Sequence, residues 1–117
     1  MIGVIFEVWP KPEYKNKYLE LAAELKDTLE QIDRFVSVER FQSIYDDNKM
    51  LSLSFFESHA ALDEWRNVAE HRVAQQVGRS SYFSDYRLRV VEVARDYGME
   101  QRAQAPQDSL SLINDTE

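Results

Sequence analysis

Ile2, Val4, Phe6 and Val8 alternate along the N-terminal segment, and that period of two is the spacing of a β-strand with one covered face. Pro10 and Pro12 end the run, because proline has no amide hydrogen for a strand ladder and its fixed φ suits the first turn of a helix. From Glu13 to about Glu30 the period lengthens. Tyr14, Tyr18, Leu21, Leu25 and then Leu29 or Ile32 recur at helical spacing, leaving Lys15, Lys17, Glu20, Glu24, Lys26 and Asp27 for the opposite face. Two β-rich runs follow, about Phe35 to Tyr45 and Met50 to Glu57, around Asp46-Asp47-Asn48-Lys49, whose Asp and Asn side chains favour a tight turn. They predict a hairpin. Ser58 stands where it can cap a second helix with the stripe Ala61, Trp65, Val68, Ala69 and Val73, ending near Gly78. A last β run covers roughly Tyr86 to Asp96. The order β-α-β-β-α-β predicts a ferredoxin-like α+β sandwich, with both helices on one face of a four-stranded, mainly antiparallel sheet. This domain occupies residues 1–97; residues 98–117 read as a polar C-terminal extension in which Leu110, Leu112 and Ile113 are the residues able to dock.

The sheet face turned away from the helices then collects Ile5 and Trp9 from the first strand, Met50 and Phe56 from the third, and Val91 and Val93 from the last. Glu7, Ser52, Ser54 and Arg89 are mixed among them. Such a face is too apolar for open water and too polar for a dry core. Two sheets packed face to face in a homodimer, around a part-polar cavity, satisfy both demands, with an interface of about 2,000 Å² or more.

At 117 residues the chain is the size of one domain. With Lys+Arg 14 against Asp+Glu 21 its net charge is -7, so its surface repels nucleic acid and anionic lipid. Cysteine is absent, which removes disulfides, zinc-thiolate sites and thiol nucleophiles, and is compatible with a reducing compartment. MIGVIFEVWP lacks the basic start and long apolar run of a signal peptide, and no segment reaches the length of a membrane span. A cytoplasmic protein without a membrane or nucleic-acid partner is expected. Three glycines form no phosphate-cradling loop, and two histidines far apart with little carboxylate support make no metal site.

Candidate chemistry concentrates in EWRNVAEHRVAQQVGRSSYF, residues 64–83. His71 carries a side chain whose ordinary pKa, about 6.5, suits a general base at neutral pH. Trp65 lies on the apolar stripe, where it reads as a core residue or as a plane that orders a substrate ring. Tyr82, Phe83 and Tyr86 can stack on a planar ligand or fill the connection between helix and strand. Trp9 lies beside Glu7 on the far face. A carboxylate among Ile5 and Trp9 would have a raised pKa and serve as a second base, unless it pairs with Arg89 or Arg40.

The segment FFESHAALDEWRNVAEHRVAQQVGRSSYFSDYRLRVVEV resembles the second half of the antibiotic biosynthesis monooxygenase domain, of the dimeric α+β barrel group. The likeness rests on Glu57-Ser58, Trp65, Glu70-His71-Arg72, Gly78-Arg79, Tyr82-Phe83 and Tyr86, and in order of elements it covers about residues 1–97. It implies sheets paired into a dimeric barrel. From the cofactor-free members it implies a small phenolic or anthrone-like aromatic, deprotonated in the cavity and oxidised directly by O2 to a quinone, with no flavin or metal. Trp65 matches the tryptophan of those members, His71 falls where the quinone-forming type has a tyrosine, and Ala61 replaces that type's asparagine. On the same resemblance the heme-degrading branch would need an iron-binding histidine and a first-strand asparagine, where this chain has Gln75 and Glu7. Two functions are therefore expected to compete: a cofactor-independent monooxygenase, and a non-catalytic dimeric barrel that binds a small hydrophobic molecule.

Overall fold

The computed structural model describes residues 1–77 and 82–108, apart from the side chains at 71 and 74–77. Strand β1 (Ile2–Pro10) leads through a 3-10 turn at Pro12–Tyr14 into helix α1 (Lys15–Leu29). Strands β2 (Phe35–Gln42) and β3 (Met50–Phe56) form the hairpin, and helix α2 (His59–Val77) precedes strand β4 (Phe83–Glu92). The sheet order is β2-β3-β1-β4, with all neighbours antiparallel. This is the ferredoxin-like α+β fold expected from the alternation of periods.

Local chemistry sets the boundaries. Pro12 opens the 3-10 turn, and the Lys11 carbonyl accepts from Tyr14 N at 2.9 Å. Ser58 Oγ accepts from Ala61 N at 3.2 Å, the cap expected for α2. Its stripe residue Ala61 is buried, while Trp65, Val68, Ala69 and Val73 are half-buried among exposed neighbours. The end expected near Gly78 falls outside the described residues. Between α1 and β2, Arg34 has a left-handed φ of 65°, and its carbonyl accepts from Glu57 N at 2.9 Å, which ties this connection to the end of β3.

Three strand ends differ from expectation, and one of them is the end of β4, which stops at Glu92 rather than near Asp96. β2 stops at Gln42 rather than near Tyr45, because side chains take over the bonding of the turn. Gln42 Nε2 donates toward the carbonyls of Ser43, Asp46, Asp47 and Lys49 at 3.4, 3.1, 3.2 and 3.0 Å. Ser43 Oγ accepts from the amides of Tyr45 and Asp46, each at 3.2 Å. β4 begins at Phe83 rather than Tyr86, because Phe83 pairs with Pro10 across an irregularity at Trp9/Pro10.

The core lies between the helices and the central strands. Val4, Leu29, Ile32, Phe56 and Ala61 form it, with Phe35, Val38, Leu62 and Trp65 packed against it. Here the expected faces of β3 are corrected. Ile2 pairs with Phe56, Val4 with Ser54, Phe6 with Ser52 and Val8 with Met50. Met50, Ser52, Ser54 and Phe56 therefore point toward the helices, and Phe56 is fully buried. The far face instead receives Leu51, Leu53 and Phe55, the partners of Glu7, Ile5 and Gly3. MLSLSFF has apolar residues in both alternating sets, so periodicity could not choose between the faces, and pairing to β1 does. Gly3 has its own reason on that face. A Cβ there would come within 3.1 Å of both Phe55 Cε1 and Val91 Cγ2, so glycine lets those side chains close over the strand.

Candidate functional site

The sheet divides the candidate residues between two sides. Trp65, Phe83 and Tyr86 lie on the helix side, and Glu7 and Trp9 lie on the far face.

On the helix side, Phe6 of β1 meets Phe83 and Tyr86 edge to face, at centroid distances of 6.0 and 5.8 Å. Tyr18 of α1 meets Phe83 at 5.4 Å. Tyr82 stacks on Tyr14 at 5.2 Å, so it braces the start of β4 against the entry to α1. Beyond this cluster β4 is left uncovered: Tyr86 is 61% and Leu88 52% exposed, on the strand face that they share with Val8 and Phe6 on β1. The result is an aromatic and apolar shelf open to solvent. Trp65, on α2, packs against the core cluster on this same side. Position 71 lies further along α2, and its side chain falls outside the described residues.

Two polar groups border the aromatic cluster. Burial pushes the Tyr18 phenol above its ordinary pKa, and the Arg40 guanidinium partly offsets that rise through charge and a hydrogen bond. Arg40 Nε is itself buried without a hydrogen-bond partner among the described residues. Because Arg40 pairs with Ser52 on the helix side, it stands across the sheet from Glu7.

On the far face, Glu7 bridges two cations. Its Oε2 is 2.5 Å from Lys49 Nζ, and its Oε1 accepts from Arg89 Nη1. The hydrogen bond from Lys49, then that from Arg89, hold the Glu7 carboxyl below its ordinary pKa and outweigh the opposing effect of burial. This corrects the expected rise: Glu7 is a fixed anion and a weak base at neutral pH. Of its two expected partners, Arg89 is engaged and Arg40 is not. Trp9 Nε1 donates to Asp46 Oδ2 at 3.1 Å, and Lys49 Nζ sits 5.2 Å from the centroid of the Trp9 ring. The hairpin turn is thereby latched to β1. A groove of about 450 Å³ runs beside this latch, over Ile5, Phe41 and Leu51. Lys49 and Phe41 escaped the sequence reading, since only the folding-back of the turn brings Lys49 over β1.

His59, the second histidine, is exposed at the start of α2, with Nε2 3.2 Å from Glu92 Oε1. Among the described residues no group of three or more acidic or histidine side chains could hold a metal ion. No helix among them is long and apolar enough to cross a membrane.

Residues 1–77 match the family model described as antibiotic biosynthesis monooxygenase. The chain belongs to that family. A Pyricularia oryzae protein named jasmonate monooxygenase ABM is 40% identical over 93 residues, which are 80% of this chain and 43% of the relative. The chain thus spans less than half the length of that relative. An uncharacterized Bacillus subtilis protein, YqjZ, is 29% identical over 85 residues, 73% of each chain. The solved structure of Rv0793 from Mycobacterium tuberculosis superimposes with a TM-score of 0.72 at 19% identity, over 83% of this chain and 98% of that one, which shows a shared fold.

Proposed function

We propose that this antibiotic biosynthesis monooxygenase homologue is a cofactor-independent monooxygenase that works in the cytoplasm as a homodimer joined through the far faces of its sheets. Its substrate is a small electron-rich aromatic, phenolic or anthrone-like, held on the helix side of the sheet. The observation that carries this reading is the open shelf of Tyr86 and Leu88 beside Phe6 and Phe83, on the side of the sheet that also receives Trp65. Ring faces and edges left free at such a shelf suit a planar apolar guest.

In the proposed reaction His71 accepts the substrate proton, and the resulting anion passes electrons to O2. For an anthrone, the methylene and O2 become a carbonyl and water: one oxygen atom enters the product, and the other leaves as water with the two methylene hydrogens. Trp65 holds the ring in place. Glu7 and Trp9, across the sheet, contribute to the far-face contact between copies rather than to proton transfer.

Oxygen uptake with a model anthrone is the test. Uptake should exceed autoxidation, and His71→Ala should lower it by roughly 10²-fold or more, the usual scale for a general base. Uptake no faster than autoxidation, or an unchanged His71→Ala variant, would leave the non-catalytic barrel that binds a small hydrophobic molecule. The name of the fungal relative favours a second substrate class, so jasmonate belongs in the same assay. Uptake with jasmonate and none with the anthrone would move the substrate from aromatic to jasmonate-like.

A further inference from the structure

Among the described residues, many of the exposed large apolar side chains gather on the two edge strands and the hairpin turn. Val36 and Phe41 lie on β2, Tyr86, Leu88 and Val90 on β4. At the turn Ile44 is 90% and Tyr45 99% exposed. That turn is well fixed, by Gln42 and Ser43 from within and by the Trp9–Asp46 and Lys49–Glu7 contacts from β1. A rigid turn that offers two large apolar side chains to water is a feature that calls for a partner surface.

The sheet register indicates which surface. Gln42, Met50, Val8 and Tyr86 form one row across the sheet, so the hairpin turn and the start of the β4 shelf lie at the same end, on opposite edges. Glu39, Leu53, Ile5 and Arg89 form another row, with a carboxylate at one edge and a guanidinium at the other. When two such sheets face each other about a two-fold axis parallel to the strands, each row keeps its height and the edges exchange. The β2 edge of one copy then lies antiparallel along the β4 edge of the other, Glu39 comes level with the partner's Arg89, and both free edges are covered. An axis across the strands would set β2 against β2 and reverse the order of the rows.

We propose that the hairpin tip of one copy, Ile44 and Tyr45, closes over the start of the open β4 shelf of a second copy at Tyr86, so that the helix-side shelf is covered only in the dimer. The proposal rests on the sheet-to-sheet homodimer described above and gives the partner copy a part in the site.

The chain has no cysteine, so introduced thiols are the only ones that react. A Tyr45→Cys/Tyr86→Cys double variant, treated with a short bis-maleimide, should run mainly as a covalent dimer on a denaturing gel, and each single variant should run as a monomer. A cross-link within one chain gives no dimer band. Dimers from Tyr45→Cys alone would mean that tips meet tips, and would overturn the proposal. So would a double variant that is dimeric by light scattering yet yields no covalent dimer, and so would a monomeric parent protein. If either tyrosine variant fails to fold, Glu39→Cys/Arg89→Cys tests the same arrangement at mid-strand, with the same outcomes. Cross-linking needs no turnover: a covalent dimer from a protein whose unsubstituted parent consumes no oxygen would uphold the interface and remove only the oxygenase reading.

Discussion

Replacing Trp65 separates packing from chemistry at the residue where the two are hardest to tell apart. Its indole packs against the core cluster of Val4, Leu29, Ile32, Phe56 and Ala61 as a whole, and it is half-buried. Truncating a fully buried tryptophan to alanine costs about 3–5 kcal/mol. With part of the ring already in water, Trp65→Ala should cost about 2–3 kcal/mol, because less apolar surface is returned to solvent. For a domain of this size each kcal/mol moves the midpoint by roughly 4–8 °C, so thermal unfolding followed by circular dichroism should show a fall of roughly 10–20 °C. Trp65→Phe keeps an aromatic ring in the same space and should cost no more than about 1.5 kcal/mol. If Trp65→Ala melts within about 3 °C of the parent, the ring does not belong to the core and the packing argument fails. Oxygen uptake with Trp65→Phe then isolates the chemical part. A loss of roughly 10²-fold at a nearly unchanged midpoint would show that the indole does more than fill space.

The remaining predictions concern charge and close contact. Glu7 is held below its ordinary pKa in the folded chain, so the stability that it contributes is present above the unfolded value, near 4.5, and is lost as the pH falls through the folded value. Urea unfolding of Glu7→Gln should accordingly show a shallower loss of stability on acidification than the parent; matching acid limbs would refute the bridge. The Tyr18 phenol is raised, so its contribution is intact below the unfolded value of about 10 and declines as the pH rises toward the folded one. Tyr18→Phe should lose less stability than the parent above pH 10, measured by the same unfolding curves. Gly3→Ala must push Phe55 or Val91 aside and should cost about 1–3 kcal/mol; a neutral result would mean that those side chains give way freely. Arg34→Gly, at a left-handed backbone position, should be neutral or stabilise by up to about 1 kcal/mol, whereas Arg34→Val should destabilise, both read from thermal midpoints.

Much of the fold was legible because the period changes sharply. The alternation Ile2, Val4, Phe6, Val8 against the helical run Tyr14, Tyr18, Leu21, Leu25 leaves little choice of element, and Ser58 marks the start of α2 by a bond that its type and place foretell. The face of β3 was not legible, since Leu51, Leu53 and Phe55 compete with Met50 and Phe56 for the same role. At the site, strand parity already set Glu7 and Trp9 on the far face, and the structure places Trp65, Phe83 and Tyr86 on the helix side. What stayed hidden was the one-residue offset at Trp9/Pro10, which lets Phe83 and Tyr86 join Phe6. The state of Glu7 depended on Lys49, forty-two positions away in sequence, and a long-range contact of that kind leaves no local pattern.

The bonding of the hairpin turn is assigned almost wholly to Gln42, Ser43 and Asp46, to which Tyr45 adds only its backbone amide. Form and vocabulary are therefore carried by different letters of the same short word. The two tip side chains can be exchanged for larger, smaller or charged ones without asking the loop to find a new shape. A protein with such a loop can change what it touches by point substitution, with no refolding to absorb.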